Sequence, residues 1–315
     1  MAFEIQKQHF GDLTEFIIQE TSSGNRFVVV PELGGIVRQL SLRKGNTLFS
    51  VLKTPGTPDT LADDTQSSSE LLFPFASRIP GGKYTFFHKE YELAQNDPTH
   101  ASAIHGLVRK QNFHLSEQGL HDDEASIKLH YDLRNAIGYP FDIDFSVKYS
   151  LTADGKFSLT YEAKNVGNEP APVMFGWHPY FRLGNEMVDA WKIDIPSDEI
   201  VSFDDDMIPV GKEQFPISGP TLLFKKVLDN CFIVKANGET AVTKLISDNQ
   251  HVTLVIEQET GEGKFNHLVL YTPPERDCVG IEPLTANVNS FNNGEGLNVL
   301  APGNSIKGTI RISLT

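Results

Sequence analysis

Apolar and polar side chains alternate with a period of two along most of this chain, and that period confines it to strands. Ile143, Phe145, Val147, Tyr149 and Leu151 are separated by Asp144, Ser146, Lys148 and Ser150. Phe157, Leu159, Tyr161 and Ala163 follow in the same rhythm. Successive side chains of a strand point to opposite faces, so each run offers one apolar face to a core and one polar face to water or ligand. Between the two runs lies Asp154-Gly155, a strong hairpin signal. The pattern returns in 127–133, 252–256, 267–271 and 310–314. No long stretch keeps a 3.6-residue apolar period, although a short helix is expected over Thr221 to Leu228. The 25 glycines and 18 prolines break the chain into short segments. These features predict an all-β protein built as a large antiparallel two-sheet β-sandwich. Thr54 to Glu70 and Asp97 to Ser102 read as surface loops, and no 20–50-residue repeat appears, so a single domain over 1–315 is expected.

Charge narrows the function classes. The chain carries 27 basic and 41 acidic residues, a net charge of −14. Such a field repels phosphate backbones and anionic lipid, so neither nucleic-acid nor membrane partners are expected. No apolar run approaches the ~20 residues of a membrane helix, and the start shows no basic-then-apolar leader, so a cytoplasmic location is expected. Cys231 and Cys278 are too few for a disulfide scaffold and read as small core residues in a reduced compartment. The run Asp204-Asp205-Asp206 reads as a solvated loop.

Four clusters interrupt the alternation with functional side chains bracketed by turn formers. They are Ser77-Arg78-Ile79-Pro80-Gly81-Gly82, Ile104-His105-Gly106, Gly176-Trp177-His178-Pro179-Tyr180-Phe181 and Gly280-Ile281-Glu282-Pro283. Gly and Pro fix local backbone geometry, which is how a rigid β-scaffold presents a side chain at a pocket. His105 and His178 are natural acid–base groups, Glu282 supplies a carboxylate, and Arg78 offers a fixed fork of donors. Trp177 and Tyr180 offer flat apolar walls. Each cluster also has a purely structural reading, as a turn arginine, a hydrogen-bonded histidine, a loop carboxylate or an aromatic packing group. Composition and spacing do not choose between the readings. No zinc motif, phosphate-cradling glycine loop or serine elbow is present.

Taken in order, Ser77-Arg78-Ile79 with Gly82 and Tyr84, His105-Gly106, His178-Pro179-Tyr180-Phe181 and Ile281-Glu282-Pro283 resemble the aldose 1-epimerase (galactose mutarotase) superfamily. Thr272-Pro273 and the tail from Gly294 to Gly303 are similar as well, so the resemblance spans about residues 25 to 312. It implies a two-sheet sandwich with an open sugar cleft that interconverts the anomers of an aldose. It also implies Glu282 as general base, His178 as general acid, His105 as a second active-site histidine and Arg78 as a substrate-binding residue. Asp229 matches the acid that binds sugar hydroxyls. No metal or cofactor is implied, and the one partner expected is a small monosaccharide, taken by a monomer or homodimer.

Opening a cyclic hemiacetal requires a base at the C1 hydroxyl and an acid at the ring oxygen, placed here on opposite sides of the anomeric centre. Partial burial of Glu282 is expected to bring its pKa toward that of the histidine. The chain departs from the family pattern at Ser77, Leu107 and Arg182, and the run His105-Gly-Leu-Val-Arg109 is similar to divergent members, some acting on hexose 6-phosphates. Arg109 or Arg182 could then meet a phosphate. A hexose-6-phosphate mutarotase and a non-catalytic sugar-binding protein are the alternative readings.

Overall fold

The computed structural model describes residues 2–215 and 219–315. Its two large sheets are antiparallel, as the alternation requires. Nine strands form the first, in the order His114–Leu120, Glu124–Leu133, Ile143–Thr152, Phe157–Asn165, Ser305–Leu314, Val252–Glu259, Thr240–Ser247, Lys192–Asp194 and Thr221–Leu222. The second has eight strands and runs from Pro209–Gln214 through Glu199–Phe203, Asp229–Ile233, His267–Tyr271 and Val279–Leu284 to Gly176–Trp177 and Leu71–Leu72. Tyr180–Phe181 pairs beside it with Val279–Leu284. A five-stranded meander formed by the first 50 residues adds a third sheet to the sandwich.

The core follows the period of two. Ile143, Phe145, Val147, Tyr149 and Leu151 are all fully buried, and Val147 and Tyr149 lie opposite Tyr161 and Leu159. Burying side chains of this size contributes about 1.5–3 kcal/mol each. One apolar cluster draws its members from Phe3 to Ile312. The hairpin at Asp154-Gly155 forms, with Gly155 alone taking the left-handed conformation (φ +81). A Cβ there would sit 2.9 Å from the Asn25 amide nitrogen, so a larger residue would have to displace that side chain as well as adopt a left-handed backbone.

Three local expectations need correction or refinement. Thr221 to Leu228 is no helix. Thr221–Leu222 pairs with Lys192–Ile193 at the sheet edge, and the chain then turns through Lys225 at φ +55. Leu223 is pulled into the core while Leu222, Phe224 and Val227 stay exposed, so no helical face exists to bury. The stretch 54–70 is a surface loop only in part. It holds a short helix, Pro58–Ala62, and its end, Ser67 to Glu70, is buried. Asp97 lies in an exposed loop, yet its carboxylate is 4% exposed. Asp204 forms a turn of its own, accepting the N–H groups of Asp206 and Ile208. Both cysteines are free and buried.

Candidate active site

The register of the eight-stranded sheet sets the site. Gly176 pairs with Leu284 and Tyr180 with Gly280, which places His178 opposite Glu282 across the ladder. On the next strand Val269 lies opposite Glu282 and Tyr271 opposite Gly280, and beyond it Asp229 lies opposite Tyr271. Two adjacent rungs therefore aim His178, Glu282, Val269, Tyr180, Tyr271 and Asp229 into one cleft of about 560 Å³. That volume falls within the usual range for small-molecule sites. Gly280 leaves a gap in this surface. A Cβ at that position would lie 3.4–3.5 Å from Tyr271, Tyr180 and the Glu282 carboxylate.

His178 and Glu282 stand side by side, with Nε2 and Oε1 3.4 Å apart. The expected placement on opposite sides of an anomeric centre is thereby corrected. Facing positions on neighbouring strands hold side chains about 4.5–5.5 Å apart at Cβ. Adjacency is compatible with hemiacetal chemistry, because the C1 hydroxyl and the ring oxygen are bonded to the same carbon. The buried segment 67–70 fixes the histidine: its N–H donates to the Glu70 carbonyl, and its carbonyl accepts from Ser69 N–H at 2.8 Å.

The loop carrying His105 reaches the same place from the other side of the cleft. Gly106 packs against Phe73 so closely that a Cβ would come within 2.3 Å of the Phe73 carbonyl oxygen, at φ +79. No other residue fits there. The His105 ring meets the His178 ring edge to face, with centroids 5.1 Å apart. Ser67, Ser77, His105 and Lys110, which line this cleft, and Ser69, bonded to the His178 backbone, all adopt the left-handed conformation. Such non-glycine residues store roughly 1–3 kcal/mol each and gather where surrounding structure over-determines them.

Arg78 lies on a short strand, Arg78–Pro80, paired with Ser102–Ile104. Its Nε donates to Asp97 Oδ2 at 2.8 Å, and Asp97 also accepts the N–H groups of Thr99 and His100. Nothing in the residues around Asp97 signals this buried partner. Arg109 faces Glu70 at 3.0 Å, and Lys110 donates to the Asp64 carbonyl. Trp177 is not a cleft wall. It is fully buried, and its indole N–H donates to Ser69, because the residue before His178 on a strand must point to the opposite face. Arg182 lines a different pocket. Of the seven site residues expected from the sequence, the structure brings together His105, His178, Glu282, Arg78, Asp229 and Tyr180. Tyr271, Asp97 and the 67–70 segment are additions.

Burial dominates the electrostatics. It pushes the Glu282 carboxyl well above its usual range, with nearby Asp229 reinforcing the effect and Arg78 opposing it. Burial also lowers the His178 imidazole to about 4 and pushes His105 down further below its ordinary range. The two pKa values therefore move past each other rather than merely converging. Desolvation raises the Asp229 carboxyl as well, against the pull of Arg78 and His100. The cleft wall carries three cations (Arg78, Arg109, Lys110) and four acids (Asp64, Asp97, Asp229, Glu282). A separate trio, His130, Asp132 and Asp144, could in principle hold a metal, but the Arg134 guanidinium already bridges both aspartates.

Residues 18–313 match the family model described as aldose 1-epimerase. An uncharacterised Escherichia coli protein, YihR, is 26% identical over 247 residues, covering 74% of this chain and 75% of that protein. The aldose 1-epimerase of the same organism is 27% identical over 158 residues, 49% of this chain and 44% of its own. Among solved structures, a galactose mutarotase-like protein from Clostridium acetobutylicum superimposes with a TM-score of 0.87 at 20% identity, covering 100% of this chain and 99% of the other. Galactose 1-epimerase from Lactobacillus acidophilus gives 0.80 at 17% identity, covering 99% and 98%.

Proposed function

The chain belongs to the aldose 1-epimerase family, and from that premise we propose that it interconverts the α and β anomers of a free aldose, such as galactose or glucose, in this cleft. The observation that carries the reading is the contact between Glu282 and His178, a buried carboxyl beside a buried imidazole with room for a sugar above them.

In the forward step the Glu282 carboxylate takes the proton of the C1 hydroxyl, the O–H electron pair forms the C1 carbonyl, and the C1–O5 bond breaks. O5 receives the proton held by His178. Rotation about C1–C2 exposes the other face, O5 adds back, and both protons return. Two positioned groups of this kind contribute about 10²–10⁴-fold each. Ring opening turns an ion pair into a neutral pair, the form that burial favours on both residues. The pair works as two seats for one proton, so either occupancy offers one donor and one acceptor. Proton transfer is all the chemistry required, so no metal or cofactor is invoked. Arg78, oriented by Asp97, and Asp229 hold ring hydroxyls, while Tyr180 and Tyr271 supply flat surfaces for the pyranose.

Charge favours a neutral sugar over a hexose 6-phosphate. Arg78 and Arg109 each face a carboxylate already, so neither offers a free cation to a phosphate. A binding protein without turnover would have no use for an acid–base pair in contact. Polarimetry of freshly dissolved α-glucose, α-galactose and glucose 6-phosphate tests the reading. Faster decay of rotation with the free aldoses is expected. Acceleration of the phosphorylated sugar alone, or of none, would overturn it.

A further inference from the structure

We propose that a second pocket, on the far side of the Tyr180 strand, binds a free tetrahedral oxyanion such as inorganic phosphate. The pocket has a volume of about 180 Å³, enough for a five-atom oxyanion. It lies where the chain after Phe181 pairs with the segment 51–53: Leu52 bridges Phe181, and Arg182 N–H donates to the Val51 carbonyl. Arg38, Lys53 and Arg182 line it together with Gln39, Ser50 and Thr54, and no lining residue is acidic. In a chain with 41 acids against 27 bases, a pocket lining of three cations and no acid is unexpected, and although Arg38 and Lys53 are paired to carboxylates outside that lining, Arg182 is not.

The three cations differ in how they are held. Arg38 is anchored by the buried Glu15 carboxylate at 2.5 Å and by the Phe10 ring, 4.2 Å from its guanidinium carbon. That anchor uses one of its five donors. Lys53 contacts Asp277 at 2.6 Å. Arg182 makes no ion pair among the described residues, and its buried Nε has no hydrogen-bond partner. Its one side-chain hydrogen bond among the described residues is a long one, 3.4 Å from Nη2 to Ser50 Oγ. A buried guanidinium N–H without an acceptor is a group waiting for one, and a fork of donors beside hydroxyls matches the oxygens of a phosphate. The pocket and the catalytic cleft share no lining residue, so this anion is not the substituent of a sugar held at Glu282 and His178. The assignment stands independently of the anomerase reading.

Thermal melting in sodium phosphate against sodium chloride at matched ionic strength tests it. With phosphate tenfold above its dissociation constant, the wild-type melting temperature is expected to rise by about 2 °C. Arg182→Gln should lose the phosphate-specific rise, and Arg182→Lys, which keeps the charge but not the fork, should retain part of it. If Arg182→Gln does not fold, the Lys variant alone decides, since an unchanged rise there removes the fork from the site. No rise in the wild type, or an equal rise in Arg182→Gln, would overturn the proposal. Turnover of glucose 6-phosphate separates the two sources of phosphate. It should be unaffected by Arg182→Gln, whereas a selective loss of kcat/KM for the ester would move the site from a free ion to a substrate group.

Discussion

Replacing Glu282 with Gln should slow the enzyme and stabilise it, and both effects follow from one carboxyl. An amide keeps the size of the side chain but cannot take the C1 proton, so kcat should fall 10²–10⁴-fold, equivalent to about 3–5 kcal/mol of barrier. Sugar binding should weaken only modestly. The stability effect depends on pH. Burial, reinforced by Asp229, raises the folded carboxyl well above its unfolded value of about 4.3. A group so shifted favours folding in full below the unfolded value, and that contribution is lost as pH climbs through the folded one. Each unit of elevation costs about 1.4 kcal/mol once the pH exceeds the folded value. The glutamine carries no charge to desolvate. Glu282→Gln should therefore melt close to wild type near pH 4.5 and progressively above it toward pH 8. Calorimetric scans across that range, paired with polarimetric turnover, measure both effects. Turnover near the wild-type rate would remove Glu282 from the base role and leave His105 as the next candidate. A melting difference that does not widen with pH would refute the burial account.

His178→Asn should lose a comparable factor in kcat, and the double variant with Glu282→Gln should be little worse than either single, because the two act as one relay; single-turnover rates decide it. The pH–rate profile should be bell-shaped, falling on the acid side as His178, held near 4, takes a second proton and on the alkaline side as Glu282 finally ionises. A rate that rises steadily through both regions would contradict a shared proton. Arg78→Ala should raise KM more than it lowers kcat, and Asp97→Asn should do the same more weakly by freeing the guanidinium. Gly106→Ala should cost several kcal/mol or prevent folding, since the added carbon meets backbone and not a movable side chain. Denaturant titration would show it.

The strands were legible because burial on one face leaves a period of two in the residues themselves, as in Ile143 to Leu151. The polar members of the site were legible for a related reason: His178 and Glu282 break apolar strands beside Gly or Pro, and such interruptions are costly without a purpose. Trp177 was misplaced because the same period, applied one residue before His178, turns it away from the cleft. Asp97 and the 67–70 segment left no trace. Their composition is that of any polar loop, and only the fold brings them under Arg78 and His178. Sequence alone leaves Arg109 open to a phosphate under the hexose-6-phosphate reading, because the Glu70 carboxylate that faces it lies in a segment whose composition is that of a surface loop.

The rungs that line the cleft are assembled from strands whose residues lie far apart along the chain, with His178, Asp229, Tyr271 and Glu282 arriving one after another during synthesis. Closing such distant pairings is entropically slow, and it must be completed before any of these groups meets another. Competence thus appears late and all at once. A nascent chain shorter than the Val279–Leu284 strand holds His105, His178 and the Arg78–Asp97 pair but lacks Glu282, the carboxyl that stands against His178. Recovery of mutarotation after dilution from denaturant should accordingly track the slowest phase of sheet formation, making activity itself a reporter of when the last central strand docks.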